Sequence, residues 1–474
     1  MKVPTPRLDL DDEQLREFAA EVLDLCLAHW RKTPEQAVWR LPDAKTLDRA
    51  LRKPMPEQPG DRGAILAQLR DTVFAAQAQL SHPRFFAFVP GPSNFVSALA
   101  DLMASAHNPM VGSWLEAAGP QTLERTVIEW LAKESGLPYG AGGLFLSGGS
   151  LSNLTAIVAA REWKFSTGKW GQGAIYFSEQ THASVRRALR ILGFDNRQVR
   201  VIPSDADFRL PVEGLRKQMD LDAREGLIPF CVVANAGTTN TGAVDRFEDI
   251  AALCKERRAW LHVDGAYGGL AVLCEEGKEA LEGIELAHSI TMDPHKWLFQ
   301  PYASSCLLVR DQNTLKAAFR ASADYLQDAE GDWNLWDYGP EMTRPFRALK
   351  VWLSLEVFGA GAFREAIAHG FRMARVAEEA IAGMEDWRVV TRAQMGIVTF
   401  RHEPADMKAA AVDDHNTNIA GECLRRGLAF VVTTRVRGRV VLRLCTINPR
   451  ASEADIDATV RQLGELAETL AGAG

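Results

Sequence analysis

Two residues that follow short apolar runs have side chains suited to covalent catalysis. Lys296 follows the run SITM within DPHKW, and Asp264 ends the run WLHV. A lysine with apolar flanks is desolvated, which lowers its pKa and makes it a Schiff-base nucleophile. An aspartate buried at a strand end is costly unless it lies beside a cationic partner. Taken alone, each residue could instead be solvated, as an extended surface lysine or an aspartate at a loop mouth.

Three other apolar runs end in small or polar residues. Gly149 and Ser150 stand between the run GLFLS and a predicted helix, where backbone N–H groups and the helix dipole can bind a phosphate. A tight turn capped by serine would have the same composition. His182 follows the run AIYFS and Thr239 follows FCVVANAG, and each could be structural when it is considered alone.

The elements that position these residues alternate between strand and helix from residue 142 onward. The predicted helices cover 152–161, 183–192, 212–224 and 247–258. Such alternation predicts an α/β fold, with a mostly parallel central sheet covered by helices on both faces. Ligands bind at the carboxyl ends of parallel strands, so the residues named above are expected to meet there.

Further segments flank this alternating region. Apolar residues recur at helical spacing over 11–30, and residues 321–343 have no clear period, which is typical of a functional loop. The tail alternates short strands with helices. We therefore predict an N-terminal helical segment (1–80), a large domain (81–358) with a mobile loop at about 321–343, and a small C-terminal α+β domain (359–474).

The overall composition argues against several classes of protein. The 474 residues carry 54 basic and 61 acidic side chains, a formal charge of −7, so the basic excess of a nucleic-acid-binding protein is absent. The N-terminal part has no apolar signal core and no stretch long enough to span a bilayer. The seven cysteines are scattered and form no CxxC pair, which argues against disulfides and a zinc site. We expect a cytoplasmic protein that binds no nucleic acid, membrane or metal.

The residues at the strand ends fit one cofactor when they are combined. A phosphate cradle, space for a flat ring, an aspartate for a ring cation and a Schiff-base lysine are the requirements of pyridoxal 5′-phosphate (PLP). The aspartate would keep the pyridine nitrogen protonated, so that the ring accepts electrons when a bond to the substrate Cα breaks. A nicotinamide dehydrogenase fits less well, because Gly140, Gly142 and Gly143 precede a strand, whereas the dinucleotide fingerprint follows one.

The order of these motifs resembles the group II PLP-dependent amino-acid decarboxylases, most of all their aromatic-L-amino-acid decarboxylase branch. The matching motifs, from about residue 85 to 358, are FFAF-P, GGS, THASV, GTT-TGAVD, HVDGAYGG, DPHKW and FRALK. The resemblance implies PLP-dependent transferase fold type I. It also implies a homodimer with active sites shared between the subunits, in which 1–80 is a dimerisation segment.

The resemblance also implies roles for single residues. Lys296 resembles the lysine that binds PLP covalently, Asp264 the partner of the pyridine nitrogen, and His182 the histidine stacked on the ring near the scissile carboxylate. The remaining cofactor contacts would come from Gly149, Ser150 and His295 at the phosphate, Thr239 at the cofactor hydroxyl or at Asp264, and Ala266 on the opposite ring face. The substrate pocket would include Phe88, Pro90 and Gly91.

Some positions depart from the family pattern. Asp293 stands where the family has a phosphate-binding asparagine, and it is expected to turn toward His295 or a backbone amide. Gly91 and Gly148 replace hydroxyl-bearing residues of the animal enzymes, which argues against a dihydroxyphenylalanine specialist. The family's loop tyrosine, which protonates the carbanion formed after CO2 leaves, is displaced here, and Tyr338 is the best candidate for this catalytic acid.

The sequence thus predicts PLP-dependent decarboxylation of an L-amino acid, of aromatic type, to the amine and CO2. An alternative is oxygen-dependent conversion to an aldehyde, with peroxide and ammonia, because the loop tyrosine is displaced. A PLP-binding protein without activity is a third alternative, which the joint presence of Lys296, Asp264 and His182 disfavours. The choice among phenylalanine, tyrosine, tryptophan and their relatives stays open, as does the role of Arg443.

Overall fold

The structure is a computed structural model that describes residues 8, 10–40, 42–165, 170–320 and 333–472. Most of the predicted loop, 321–332, lies outside these residues. The helices are α1 (Asp12–Lys32), α2 (Ala44–Leu51), α3 (Arg62–Gln68), α4 (Phe95–His107), α5 (Trp114–Glu134), α6 (Gly149–Lys164), α7 (Ala183–Ile191), α8 (Val212–Arg224), α9 (Phe247–Arg257), α10 (Glu275–Ala280), α11 (Pro294–Trp297), α12 (Asn313–Phe319), α13 (Ala348–Ala382), α14 (Ala409–Arg425) and α15 (Glu453–Ala471).

A seven-stranded sheet forms the centre of the molecule. Its strands are β1 (Gly142–Leu146), β2 (Gly173–Ser178), β3 (Val199–Ile202), β4 (Ile228–Asn235), β5 (Trp260–Gly265), β6 (Ser289–Met292) and β7 (Ser305–Val309). The spatial order is β1-β7-β6-β5-β4-β2-β3, in which β7 runs antiparallel to both its neighbours and the remaining pairs are parallel. The mostly parallel sheet predicted from the alternating pattern is therefore confirmed.

Helices cover both faces of this sheet, as two successive residues of β4 show. Val232 packs in a hydrophobic core with residues of α5, α8 and α9, whereas Val233 packs in a second core with residues of α6 and α7. Successive strand residues point to opposite faces of a sheet. A strand that is buried on both sides therefore needs the continuous apolar run that the sequence has here.

The N-terminal helix α1 has a different character from the helices of the sheet. Asp11 caps it, because its Oδ1 accepts a hydrogen bond from the Gln14 backbone N–H at 2.9 Å. None of the residues of α1 is buried, and Leu15 keeps 54% of its surface exposed. The predicted helix is present, and its apolar residues stay largely exposed, although Trp30 near its end packs on Phe95 at 5.8 Å between ring centroids.

Helix α13 joins the large and small parts of the chain. The sequence pattern predicted two helices, over 347–358 and 363–384, with a domain boundary between them. The structure has one element with a kink at Gly359, whose φ of 76° lies in the left-handed region that glycine adopts without strain. The chain therefore crosses the predicted boundary inside α13.

A four-stranded antiparallel sheet, covered by α14 and α15, completes the C-terminal part. Its strands β8 (Trp387–Gln394), β9 (Ile397–His402), β10 (Val432–Val436) and β11 (Arg439–Cys445) lie in the order β10-β11-β9-β8. Met395 and Gly396 both have positive φ, which is the conformation of a two-residue hairpin turn. This turn divides the run VVTRAQMGIVTF into two strands.

None of the helices in the described part of the chain is long and apolar enough to cross a membrane.

Candidate active site

A cavity of about 320 Å³ lies at the carboxyl ends of the parallel strands. Its wall is formed by residues that follow β1, β2, β4, β5 and β6, as expected for an open parallel sheet. The eight residues predicted to contact the cofactor all line it: Gly149, Ser150, His182, Thr239, Asp264, Ala266, His295 and Lys296. Residues separated by up to 147 positions in the chain, from 149 to 296, thus meet at one sheet edge.

Asp264 is buried at the end of β5, where it is held by two donors. Its Oδ2 accepts a hydrogen bond from Asn153 Nδ2 at 3.0 Å, and its Oδ1 accepts one from the Ala266 backbone N–H at 3.3 Å. Burial raises the pKa of the Asp264 carboxyl, while the nearby charge of Lys296 opposes that rise. A carboxylate whose ionised form is disfavoured by burial is stabilised by a further cation beside it. A protonated pyridine nitrogen would provide one.

Lys296 lies in the short helix α11, with its Nζ 2.9 Å from Asp293 Oδ2. Burial alone would lower the pKa of Lys296, but the carboxylates of Asp293 and Asp264 outweigh it, so the pKa is raised. The expectation that desolvation lowers the pKa of this lysine is therefore wrong for this structure. Lys296 must lose a proton before it can act as a nucleophile, and Asp293 is the nearest carboxylate to that proton.

The carboxylate of Asp293 contacts two basic side chains of the same segment, Lys296 and His295. Its Oδ2 also lies 3.5 Å from His295 Nε2, whereas its Oδ1 is buried with no hydrogen-bond partner among the described residues. The predicted turn toward His295 is thus present, and the contact with Lys296 is an addition that the sequence did not indicate. The unpartnered oxygen leaves a hydrogen-bond acceptor at the floor of the cavity.

The first turn of α6 has the shape of an anion cradle. A Cβ atom placed on Gly149 would lie 2.8 Å from the Ala266 Cβ and 3.0 Å from Asp293 Oδ2, so only glycine fits without displacement. The N-terminal turn of a 16-residue helix offers unpaired backbone N–H groups and a partial positive charge. The close approach of the backbone to Ala266 therefore brings these donors to the cavity, as a phosphate requires.

His182 caps helix α7 and presents its ring to the cavity. Its Nδ1 accepts hydrogen bonds from the Ser184 backbone N–H at 3.2 Å and lies 2.8 Å from Ser184 Oγ. Because Nδ1 is already an acceptor there, the proton of the neutral ring is on Nε2. Ser184 and Asn153 were not predicted from the sequence, although polar residues on helices that otherwise pack against the sheet are a usable signal.

Gly91 and Phe88, two of the three predicted pocket residues, lie against different parts of the site. A Cβ on Gly91 would lie 2.7 Å from the Lys296 Cα, so the absence of a side chain allows the segment to pack on the backbone of Lys296. Phe88 borders a second cavity, of about 420 Å³, which meets the first at Thr239. Pro90 is buried and lines neither of these two cavities.

Arg443 holds the backbone of Phe88. Its Nη1 donates to the Phe88 carbonyl at 2.6 Å, and Phe88 has a φ of 51°, which is uncommon for a residue with a side chain. The side chain of Arg443 is buried and borders the second cavity. This contact gives Arg443 a structural role, which the sequence alone had left open.

The model of the pyridoxal-dependent decarboxylase conserved domain matches residues 45–403. The chain belongs to the pyridoxal-dependent decarboxylases. It is 42% identical to an aromatic-L-amino-acid decarboxylase of Bacillus atrophaeus, with 97% of each chain covered. It is 27% identical to a phenylacetaldehyde synthase of Arabidopsis thaliana, again with 97% of each covered. Oryza sativa TDC, solved with PLP and tryptamine, superposes with a TM-score of 0.92 at 29% identity, covering 98% of this chain and 99% of that one.

The residues of this decarboxylase fit PLP. Asp264 offers a buried carboxylate for the ring nitrogen, the α6 turn offers donors for the phosphate, and Lys296 offers an amine for covalent attachment. Ala266 and His182 lie where they can contact the ring. When it is bound, PLP supplies an acceptor for the electron pair released as a bond to the substrate Cα breaks.

Tyr338, predicted to be the catalytic acid, does not line the cavity in this decarboxylase. Its ring is buried in a hydrophobic cluster with residues of β1, α6, β7 and α12, and it packs on Trp333 at 5.8 Å between ring centroids. Burial raises the pKa of its hydroxyl. Its role as proton donor has no support from the geometry of this chain. The predicted loop contains a second tyrosine, Tyr325, which lies outside the described residues.

Another tyrosine, which is largely exposed, lies beside His295, a predicted phosphate contact. The ring of Tyr302 is 62% exposed and lies 4.9 Å, centroid to centroid, from His295. No spacing pattern in the sequence distinguished this residue.

The close packing of Gly91 on Lys296 gives a first testable expectation. Gly91→Ala should weaken PLP binding by about 10-fold or more, because the added methyl forces the Lys296 backbone to move. Fluorescence titration of the purified chain with PLP measures this dissociation constant. Gly119→Ala is the matched control, since a Cβ on Gly119 meets nothing within 4 Å. Equal affinities in the two variants would refute the steric argument.

Proposed function

We propose that this decarboxylase acts on an aromatic L-amino acid and releases the corresponding amine and CO2. The supporting observation is the second cavity, which meets the cofactor cavity at Thr239 and has mainly apolar walls that include Phe88, Phe430 and Leu424. An aromatic side chain is bound most favourably by apolar and aromatic walls. The names of the relatives, an aromatic-L-amino-acid decarboxylase among them, agree with this substrate class.

The cavity residues would divide the work of this reaction. Lys296 would hold the cofactor through its side-chain amine. Asp264 keeps the ring nitrogen protonated through its charge, and His182 directs an Nε2–H donor toward the carboxylate that leaves. Electrostatic preorganisation of this kind is commonly the largest contribution to an enzymatic rate.

A product balance tests the proposed reaction. The purified protein with PLP is incubated with tryptophan, phenylalanine, tyrosine and dihydroxyphenylalanine, with and without oxygen, while amine, aldehyde and peroxide are quantified. We expect amine from at least one of the first three substrates, in equal yield with and without oxygen. Turnover of only a charged amino acid, such as 2,4-diaminobutyrate, would contradict the proposed substrate class.

The placement of Tyr338 favours a second candidate, oxygen-dependent formation of an aromatic aldehyde. If no acid returns a proton to the substrate carbon, oxygen can react there instead, and one relative is a phenylacetaldehyde synthase. Aldehyde with matching peroxide, lost under strict anaerobiosis, would establish this chemistry in the same product balance.

Two conservative variants show which loop tyrosine returns the proton. We expect Tyr338→Phe to leave the amine as product, because its ring packs in a hydrophobic cluster. Tyr325→Phe should divert product from amine to aldehyde, because Tyr325 is the other tyrosine within 321–343. The reverse outcome would assign the catalytic acid to Tyr338, and unchanged product in both variants would exclude both.

We further propose that the protein is a cytoplasmic homodimer. Helix α1 has no buried residue, and α4 leaves Leu102 64% and Met103 47% exposed, which is typical of surfaces that pack on a partner. All seven cysteines are free thiols, in agreement with a reducing compartment. Light scattering should give twice the chain mass of 52.2 kDa.

A further inference from the structure

We propose that His262, which is buried behind the cavity, is a positioning residue. Through a series of hydrogen bonds that all run in one direction, it determines which ring nitrogen of His182 carries the proton and how the carboxylate of Asp264 is oriented. The bonds start at Trp260 and pass through Ser289, His262 and Asn153, after which they divide between Asp264 and Ser184. We name this set the His262 relay. Asn153, His262 and Ser289 are each completely buried, and Trp260 is 1% exposed.

The amide of Asn153 is oriented by Asp264. Its Nδ2 lies 3.0 Å from Asp264 Oδ2 and 3.1 Å from Ser184 Oγ, so its two protons are both used. A carboxylate accepts hydrogen bonds only, so the NH2 group must face Asp264. The carbonyl oxygen of Asn153 then faces His262 Nε2 at 3.0 Å. Because an amide oxygen can only accept, His262 must carry its proton on Nε2.

The other ring nitrogen of His262 is consequently an acceptor. Complete burial lowers the pKa of His262 to about 3, so the ring is neutral and has one proton. Ser289 Oγ lies 2.8 Å from His262 Nδ1 and donates its hydroxyl proton there. The same oxygen accepts from Trp260 Nε1, which is a donor only, at 2.8 Å. Every proton of the relay is therefore assigned without a free choice.

One branch of the relay ends at His182. Ser184 Oγ accepts from Asn153 Nδ2, which leaves its own proton for His182 Nδ1 at 2.8 Å. The Ser184 backbone N–H points to the same nitrogen. Two donors therefore fill Nδ1, and the proton of His182 is directed to Nε2. The other branch gives Asp264 a donor that favours its charged form, as a partner of a ring cation requires.

Removal of the relay should change His182 and Asp264 without removing either. In His262→Phe, Asn153 loses the donor to its oxygen and is free to turn its amide. We expect a PLP dissociation constant raised about 10- to 100-fold, the effect of losing a hydrogen bond to a charged group. We also expect the 15N resonances of the His182 ring in histidine-labelled protein to shift from the Nε2–H tautomer toward a mixture, because the Ser184 backbone N–H is then the one fixed donor that remains at Nδ1. The rate constant for decarboxylation should fall with little change in KM.

Two further variants separate this role from general packing. His262→Gln retains a donor for the Asn153 oxygen, so it should restore PLP affinity and the single His182 tautomer. His288→Phe is the matched control, because His288 is a half-buried histidine with a pKa lowered to about 4. Its ring stacks on Trp260 at 5.0 Å between centroids, which phenylalanine can retain, and its Nδ1 accepts from the Leu261 backbone N–H and not from the relay. It should leave both readouts unchanged. If His262→Phe does not fold, Ser289→Ala takes its place. This variant removes only a hydroxyl and should shift the His182 tautomer in the same direction.

The proposal is overturned if His262→Phe folds and keeps the wild-type PLP affinity and His182 tautomer. It is also overturned if His262→Gln is as impaired as His262→Phe, or if His288→Phe shows the same losses. These readouts do not depend on the identity of the substrate.

Discussion

Lys296→Ala should abolish turnover and covalent retention of PLP. We expect the rate constant for decarboxylation to fall by about 10⁴-fold or more, because Lys296 is the only lysine among the described residues that line the cavity. After borohydride reduction and proteolysis, the wild-type chain should carry the cofactor on the peptide that contains Lys296. The variant should carry none, and mass spectrometry of the digest measures this directly.

Lys350→Met is a control for the loss of a buried lysine. Lys350 is 4% exposed and pairs with Asp101 at 2.9 Å, outside the lining of the cofactor cavity. This variant should lose stability because it leaves Asp101 without its cationic partner, yet it should retain the cofactor on Lys296. A cofactor-modified peptide elsewhere in the chain, or full turnover by Lys296→Ala, would show that the assignment of Lys296 is wrong.

Asp264→Asn should reduce the rate constant for decarboxylation by about 10³-fold while the chain stays folded. The amide oxygen can still accept from Asn153, at the expense of the 3.3 Å hydrogen bond from the Ala266 backbone N–H, but the amide has no charge to hold the ring nitrogen protonated. Since burial raises the pKa of Asp264, its ionised form is unfavourable in the fold, and the substitution should leave Tm unchanged or raise it. Stopped assays and thermal unfolding measure the two effects separately.

Asp222→Asn provides the matched comparison for Asp264→Asn. Asp222 is also buried, but its partner is Arg200 at 2.7 Å, and it does not line the cofactor cavity. Its substitution should lower Tm, because the Arg200 guanidinium loses its partner, and should leave the activity of the folded protein close to wild type. If both variants lost activity in proportion to Tm, the special role of Asp264 would be refuted.

The strand ends were predictable because local chemistry and topology act together there. A short run buried on both faces must be continuously apolar, so its last polar residue is visible in the sequence, as with Asp264 and Lys296. Parallel strands bring those ends to one edge of the sheet, and all eight predicted cofactor contacts do line one cavity. Helix α8 was placed with its observed bounds, since helical spacing is equally local.

Other features of the site depend on contacts between distant parts of the chain. The raised pKa of Lys296 follows from where the Asp293 carboxylate points, and no spacing pattern indicates a side-chain direction. Asn153 reaches Asp264 across 111 positions, so its role is visible only when α6 packs on the sheet. Tyr338 was predicted within a loop without periodicity, and only the fold shows that its ring packs in an apolar cluster and does not line the cavity.

By itself, therefore, the sequence determined the α/β class, the order of the strand-end motifs and the residues that line the cofactor cavity. These depend on burial patterns and turn chemistry that extend over a few residues. The tertiary structure alone decided the charge state favoured at Lys296, the contact of Gly91 with its backbone, and the hydrogen-bond relay that begins at Trp260. Each of these needs atoms from elements far apart in the chain to lie within a few ångströms, which only the packed fold can bring about.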